Sequence, residues 1–251
     1  MSTLAVMRVE LRRLGVRPFA WTLAALTVAW LAWNFLIAVG GFLKVQTRLA
    51  ALPEGPGFTD LVAVPLLAQL AQLAILLAPL LTMSMLAGER RAGTLPLLHA
   101  AGLSPHAIVL GKYFAALVWM LLLLVAVAAM PASLAGTTTL DWGKLAAALL
   151  GMTLTLGALT ALGLACSAYA SHPALAAGAA LALTLALWAA SLGGSAAQMA
   201  GPLAGYLALP GHLETLMRGL VASDDVIYFL LLIALALALA VRRVAADKER
   251  G

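Results

Sequence analysis

The residues of this chain that could do chemistry are few and scattered. Four histidines stand at His99, His106, His172 and His212. A metal-binding motif visible in sequence places its ligands on one helix face or in one short turn. Gly102 and Ser104-Pro105 separate His99 from His106, so the two share no continuous helix face. His172-Pro173 reads as a tight turn. The single cysteine, Cys166, lies in an apolar run; it rules out an intrachain disulfide and reads as a small buried hydrophobe. Two Gly-Lys pairs occur, Gly111-Lys112 and Gly143-Lys144. Neither is followed by Ser or Thr, and neither has the glycine five residues ahead that a phosphate loop requires. The apolar runs contain no paired carboxylates and no Ser/His arrangement, so an intramembrane enzyme is poorly supported.

One stretch is polar all the same. "GERRAGTLPLLHAAGLSPHAIVLGKYFAAL" carries Glu89, Arg90, Arg91, His99, His106 and Lys112 between two long apolar runs. Its local structure is legible. Thr94 can cap a short helix that starts at Leu95, and Pro96 is tolerated in a first turn. Gly102 can end that helix. Ser104 and Pro105 are a good cap and first residue for the next one.

The elements around it are membrane elements. The 251 residues are 64% hydrophobic and 10% charged, and the mean hydropathy is +1.04. Soluble domains average about 45–50% apolar and about 25% charged. A water-soluble fold would have to expose much of this apolar surface. The runs are continuous, as in "VIYFLLLIALALALAV", rather than alternating, which favours helices over a β-barrel. The expected fold is an all-α polytopic membrane protein of one domain, residues 1–251. Six spans are expected at 19–42, 62–87, 113–135, 145–170, 174–193 and 226–241. The last is short, sixteen residues or about 24 Å.

Charge sets the orientation. With six spans, eleven of the fifteen Lys and Arg residues fall on the side of the N-terminus and four on the other. Both termini are therefore expected in the cytoplasm, and the stretch 88–111 with them. The basic residues flank spans, so they indicate no nucleic-acid partner. The first apolar run is too long for a cleaved signal. Ahead of it, Leu4, Met7, Leu11 and Leu14 fall on one helical face, as in an interfacial helix. The gap 194–225 is partly apolar and broken by Pro202 and Pro210, so a re-entrant segment is expected before the sixth span. Gly151, Gly157, Ala161 and Gly163 should let helices approach the fourth span closely.

No expected span interior carries a charge, which argues against an ion-coupled carrier. The polar groups there are neutral. Asn34, Gln69 and Gln72 could line a cavity, or hydrogen-bond between helices. Asp224 and Asp225 precede the sixth span, where the helix dipole favours acids, and with Arg218 they mark its outer boundary. What remains is a membrane conduit with no energy source of its own. A soluble partner would have to drive it, and a short helix held beneath the membrane could receive the force.

The polar stretch resembles the signature of ABC-2 type permeases, the membrane subunits of many ABC exporters. The matching residues are Glu89, Arg90, Arg91, Gly93, Thr94, Leu95, Leu97, Leu98, Ser104, Ile108, Leu110, Gly111, Lys112 and Ala115, with Pro79, Thr82 and Met83 upstream. "HLETLMRGLVASDDVIYFLLL" resembles more narrowly the gliding-motility-type branch, through His212, Arg218, Gly219, Asp225, Val226, Tyr228 and Phe229. Pro96 and Ala107 stand where the family often has acids, and Gly102 where it often has proline. The resemblance implies two permeases, the same or homologous, bound to two cytoplasmic ABC ATPases in a bacterial inner membrane. ATP and Mg would sit on the ATPases, and this chain would bind no cofactor. The coupling residues would be Glu89, Arg90, Arg91, Gly93, Thr94, Leu95, Leu97, Leu98, Gly111 and Lys112. The alternative is a non-transporting scaffold of an ATPase-linked envelope-assembly complex, with an accessory envelope protein as a further partner. Family likeness fixes neither cargo nor direction.

Overall fold

The computed structural model describes residues 3–49, 55–189 and 206–250, and among these there is no strand. The order is α1 (Thr3–Val16), α2 (Pro18–Leu49), a π-helical turn (Thr59–Ala63), α3 (Val64–Thr82), α4 (Ala87–Arg91) and α5 (Leu95–Ala100). Then come α6 (Pro105–Ala132), α7 (Trp142–Tyr169), α8 (Pro173–Ala189), α9 (Leu209–Met217) and α10 (Ser223–Arg250).

Five helical stretches are long and apolar enough to cross a membrane: Pro18–Thr47, Thr59–Arg91, Pro105–Ala132, Trp142–Tyr169 and Ser223–Glu249. The expected fifth span corresponds to α8, which has 17 described residues, about 25 Å of helix. Its expected end, 190–193, and much of the expected re-entrant stretch lie outside the described residues. The third spanning helix starts at Pro105, as the Ser104-Pro105 pair implies: Ser104 accepts a hydrogen bond from the Ala107 N–H at 3.2 Å and Pro105 is the first helical residue, so the helix begins eight residues ahead of the apolar run at 113. The last helix is not short: α10 has 28 residues and runs on through Arg243 and Asp247, which pair with each other at 3.1 Å.

The fourth span is the hub. Helix α7 packs against α3, α6, α8, α9 and α10, and its small residues explain how. A Cβ added to Gly151 would lie 2.8 Å from Leu216 Cβ of α9, and one on Gly157 3.1 Å from the Tyr113 hydroxyl of α6. One on Gly163 would collide with Thr82 Oγ1 of α3. The glycines thus serve packing within this chain, since only a missing side chain permits such approach.

The bundle has two ends. At one, here the near end, α1, α4, the starts of α6 and α8 and the last turns of α7 and α10 meet. At the far end, the π-helical turn, the start of α7, α9 and the start of α10 meet. There Thr59 Oγ1 accepts from the Asp141 N–H at 2.9 Å, and Lys144 pairs with Asp60.

Candidate functional site

The polar stretch falls at the near end and is built around a break in a helix. Helix α3 stops at Thr82 and α4 starts at Ala87. A break leaves backbone N–H groups without intrahelical acceptors. Ser167 of α7 supplies one: its Oγ accepts from the Leu86 and Ala87 N–H groups at 3.2 and 3.1 Å and donates to Met83 O at 3.0 Å. Arg17, at the junction of α1 and α2, donates to Ser84 Oγ at 3.1 Å. Ser167 went unnoticed in the sequence; its only signal is a lone hydroxyl within "GLACSA".

Glu89 and Arg90 of α4 point inward to separate partners. Lys112 of α6 is fully buried, and its Nζ lies 2.6 Å from both Glu10 Oε1 of α1 and Glu89 Oε1. Arg13 Nη1 adds 3.2 Å to Glu89 Oε1 and 3.6 Å to Glu10 Oε1. Two carboxylates and two cations therefore form one compact cluster that ties α1, α4 and α6 together. Arg90 ties α4 the other way, donating to Ala170 O at 2.9 Å and pairing with Asp247 near the end of α10. Glu89 and Lys112 lie near the ends of helical stretches that are long and apolar enough to cross a membrane, outside the expected spans 62–87 and 113–135. The charges are tolerated because each finds an opposite partner.

The helix α1 is present, and one of its faces packs against the protein. Leu14 is buried, Met7 and Leu11 are half-buried, and Leu4 is exposed. The inward arc is Val6, Glu10 and Leu14. Glu10 is the only acid among the first fifty-three residues, a signal the hydrophobic pattern hid. Close approach of α1 depends on Gly111, where a Cβ would lie 2.6 Å from Val6 Cβ.

The rest of the stretch forms a hooked tip. Gly93 and Gly102 take φ of +67° and +77°, conformations that side chains resist. The Thr94 hydroxyl donates back to Glu89 O at 3.3 Å. Leu95 is buried, Leu98 is half-buried against the core, and Leu97 is 66% exposed. Arg91 is exposed as well. The structure thus brings Glu89, Arg90, Gly111 and Lys112 into an anchor, and leaves Arg91 and Leu97 at the surface.

The expected cavity residues are not gathered in this way. Asn34 donates to Trp30 O of its own helix at 2.8 Å. Gln69 is half-buried, with an enclosed Oε1 that has no hydrogen-bond partner among the described residues. Gln72 is exposed near the middle of its span.

At the far end, Asp224 is exposed and Arg218 pairs with Glu214 on the surface. Asp225 is buried, and its Oδ1 lies 2.6 Å from His212 Nδ1 of α9. His212 Nε2 lies 2.8 Å from Tyr206 O, and its ring stacks on Tyr228 with centroids 4.0 Å apart. A carbonyl only accepts, so Nε2 is the donor to Tyr206 O and Nδ1 is left to face the Asp225 carboxyl group. Asp225 is therefore an anchor for α9, not only a helix-start acid. Asp225→Ala should lower stability by about 1–3 kcal/mol, whereas Asp224→Asn should change it by less than about 0.5 kcal/mol. Thermal unfolding of the two variants in detergent checks this; equal effects would refute the distinction.

Among the described residues no group of three or more His, Cys, Asp or Glu could hold a metal. At the near end, Glu89 and Arg90 together lock α4 to α1, α6, α10 and the turn after α7. Residues 44–209, about two thirds of the chain, match the profile of the family described as ABC-2 family transporter protein. No curated protein matches the chain at significant similarity.

Proposed function

The chain belongs to the ABC-2 transporter family, as a multi-pass membrane permease subunit of an ABC transporter, and from that premise we propose that it serves an exporter driven by a separate cytoplasmic ATPase. The segment α4–α5 is the coupling element. One observation carries this reading: α4 is clamped through Glu89 and Arg90 to α1, α6, α10 and the α7–α8 turn, while Leu97 at its tip stays exposed. A push at the tip then reaches the spans as a rigid-body movement rather than being lost in a loop.

The near end is the cytoplasmic end in this proposal, with both termini there and α8 as part of the fifth of six spans. The excess of Lys and Arg among the near-end sequences supports it. A second permease, the same or homologous, covers the face that bears Gln72, since a lone amide facing lipid is unfavourable. Placement in a bacterial inner membrane, and in the gliding-motility-type branch, belongs to the same proposal. So do ATP and Mg on the partner ATPase.

The test is to reconstitute the native complex in vesicles and follow ATP-dependent movement of the compound that co-purifies with it. Movement coupled to hydrolysis is expected. Hydrolysis with no movement of any co-purifying compound would support the envelope scaffold instead. Orientation is read separately in a Cys166→Ala background: a cysteine at Leu97 should react with an impermeant maleimide only after the membrane is opened. Reaction in intact cells would reverse the orientation.

A further inference from the structure

Helix α1 presents an outward arc that the anchor does not use. At about 100° per residue, Leu4, Arg8, Arg12 and Gly15 lie along one strip, opposite Glu10. Arg13 is engaged by Glu10 and Glu89, and Arg17 by Ser84. Arg8 and Arg12 are exposed and have no acidic partner among the described residues. The strip ends at a second feature. Trp21 Nε1 donates to Gly15 O at 2.7 Å, and the Trp21 ring meets Trp119 edge to face with centroids 4.9 Å apart. Below these two rings a groove of about 320 Å³ opens between α2 and α6, lined by Trp21, Ala25, Val28, Trp119, Leu122 and Ala126.

We propose that this groove and the Arg8–Arg12 strip together hold one anionic phospholipid of the leaflet that adjoins α1. The reasoning rests on the membrane placement alone and needs neither the exporter reading nor the orientation. The groove lining is apolar, so it suits an acyl chain. The two exposed guanidinium groups of the strip that ends at Gly15, where Trp21 joins it, suit a phosphate, which arginine binds through paired N–H groups. An apolar chain joined to an anionic head satisfies both parts; a peptide helix or a neutral lipid satisfies only the groove. Trp21 stands between them, with its ring on the apolar side and its N–H turned to the polar boundary, the usual position of tryptophan at a membrane interface.

Native mass spectrometry on the full chain in detergent tests the site, using phosphatidylglycerol and phosphatidylcholine of identical acyl chains. Wild type should bind one phosphatidylglycerol at least tenfold more tightly than phosphatidylcholine. Arg8→Gln/Arg12→Gln should erase that preference, at about fivefold per arginine. Ala126→Phe fills the groove and should weaken both lipids while both arginines remain. These side chains are exposed, so the variants should fold; circular dichroism checks this, and Arg12→Gln alone serves if the double variant does not express. Equal binding of the two lipids to wild type would overturn the proposal. So would an undiminished preference in the arginine variant, or unaltered binding in Ala126→Phe. Displacement of the lipid by millimolar inorganic phosphate would assign the arginines to a soluble anion and overturn it too.

Discussion

Lys112→Met should destabilise the protein by about 3–5 kcal/mol, because it leaves two buried carboxylates without their shared cation. Glu10 and Glu89 are each only 6% exposed. Arg13 cannot replace the lysine: it is half exposed, and its contacts to the two acids are longer, at 3.6 and 3.2 Å. Glu10→Gln and Glu89→Gln should each cost less, since Lys112 keeps one carboxylate in either variant. The informative variant is Glu10→Gln/Glu89→Gln/Lys112→Met. Removing a whole buried ion cluster is often nearly neutral, because the desolvation cost disappears together with the attraction. It should therefore recover most of the loss from Lys112→Met. Unfolding in detergent, followed by circular dichroism, gives the comparison. If Lys112→Met unfolds like wild type, the cluster does not anchor α1 and α4.

This result separates what the sequence could reveal from what it could not. Five spans were legible because twenty apolar residues in a row have one stable environment. Helix ends were less so. The apolar runs begin at 113 and end at 241, yet α6 carries Lys112 inside its buried face and α10 runs past Arg243. The helices continue because those charges meet partners, and partners distant in the chain are invisible to a local pattern. Lys112 is 102 residues from Glu10, and Arg90 is 157 from Asp247. The Ser104-Pro105 start was legible for the opposite reason, since a cap is satisfied within four residues. The role of Glu10 was hidden because hydrophobic periodicity turns an acid outward, whereas Glu10 turns inward to a cation supplied by α6.

Leu97→Asp should leave a folded permease in the membrane and abolish recruitment of the ATPase. The two leucines near the tip make the comparison clean. Leu97 is 66% exposed, whereas Leu95, two residues earlier, is 3% exposed. Leu95→Ala removes buried contacts and should cost about 2–5 kcal/mol of stability; any loss of activity would follow from that. Leu97→Asp removes no buried contact, so unfolding should shift by less than about 0.5 kcal/mol. What it removes is an apolar anchor, the type of residue that dominates a docking interface when it enters a pocket. Arg91→Gln should have the smaller effect, since an exposed ion pair contributes only about 0–1 kcal/mol. The measurements are the ATPase retained on the affinity-purified permease and the hydrolysis and transport of the reconstituted complex. Wild-type retention and transport in Leu97→Asp, with normal folding, would remove α4–α5 from the interface. Retained ATPase with hydrolysis but no transport would keep α5 in the force path and place docking on another surface.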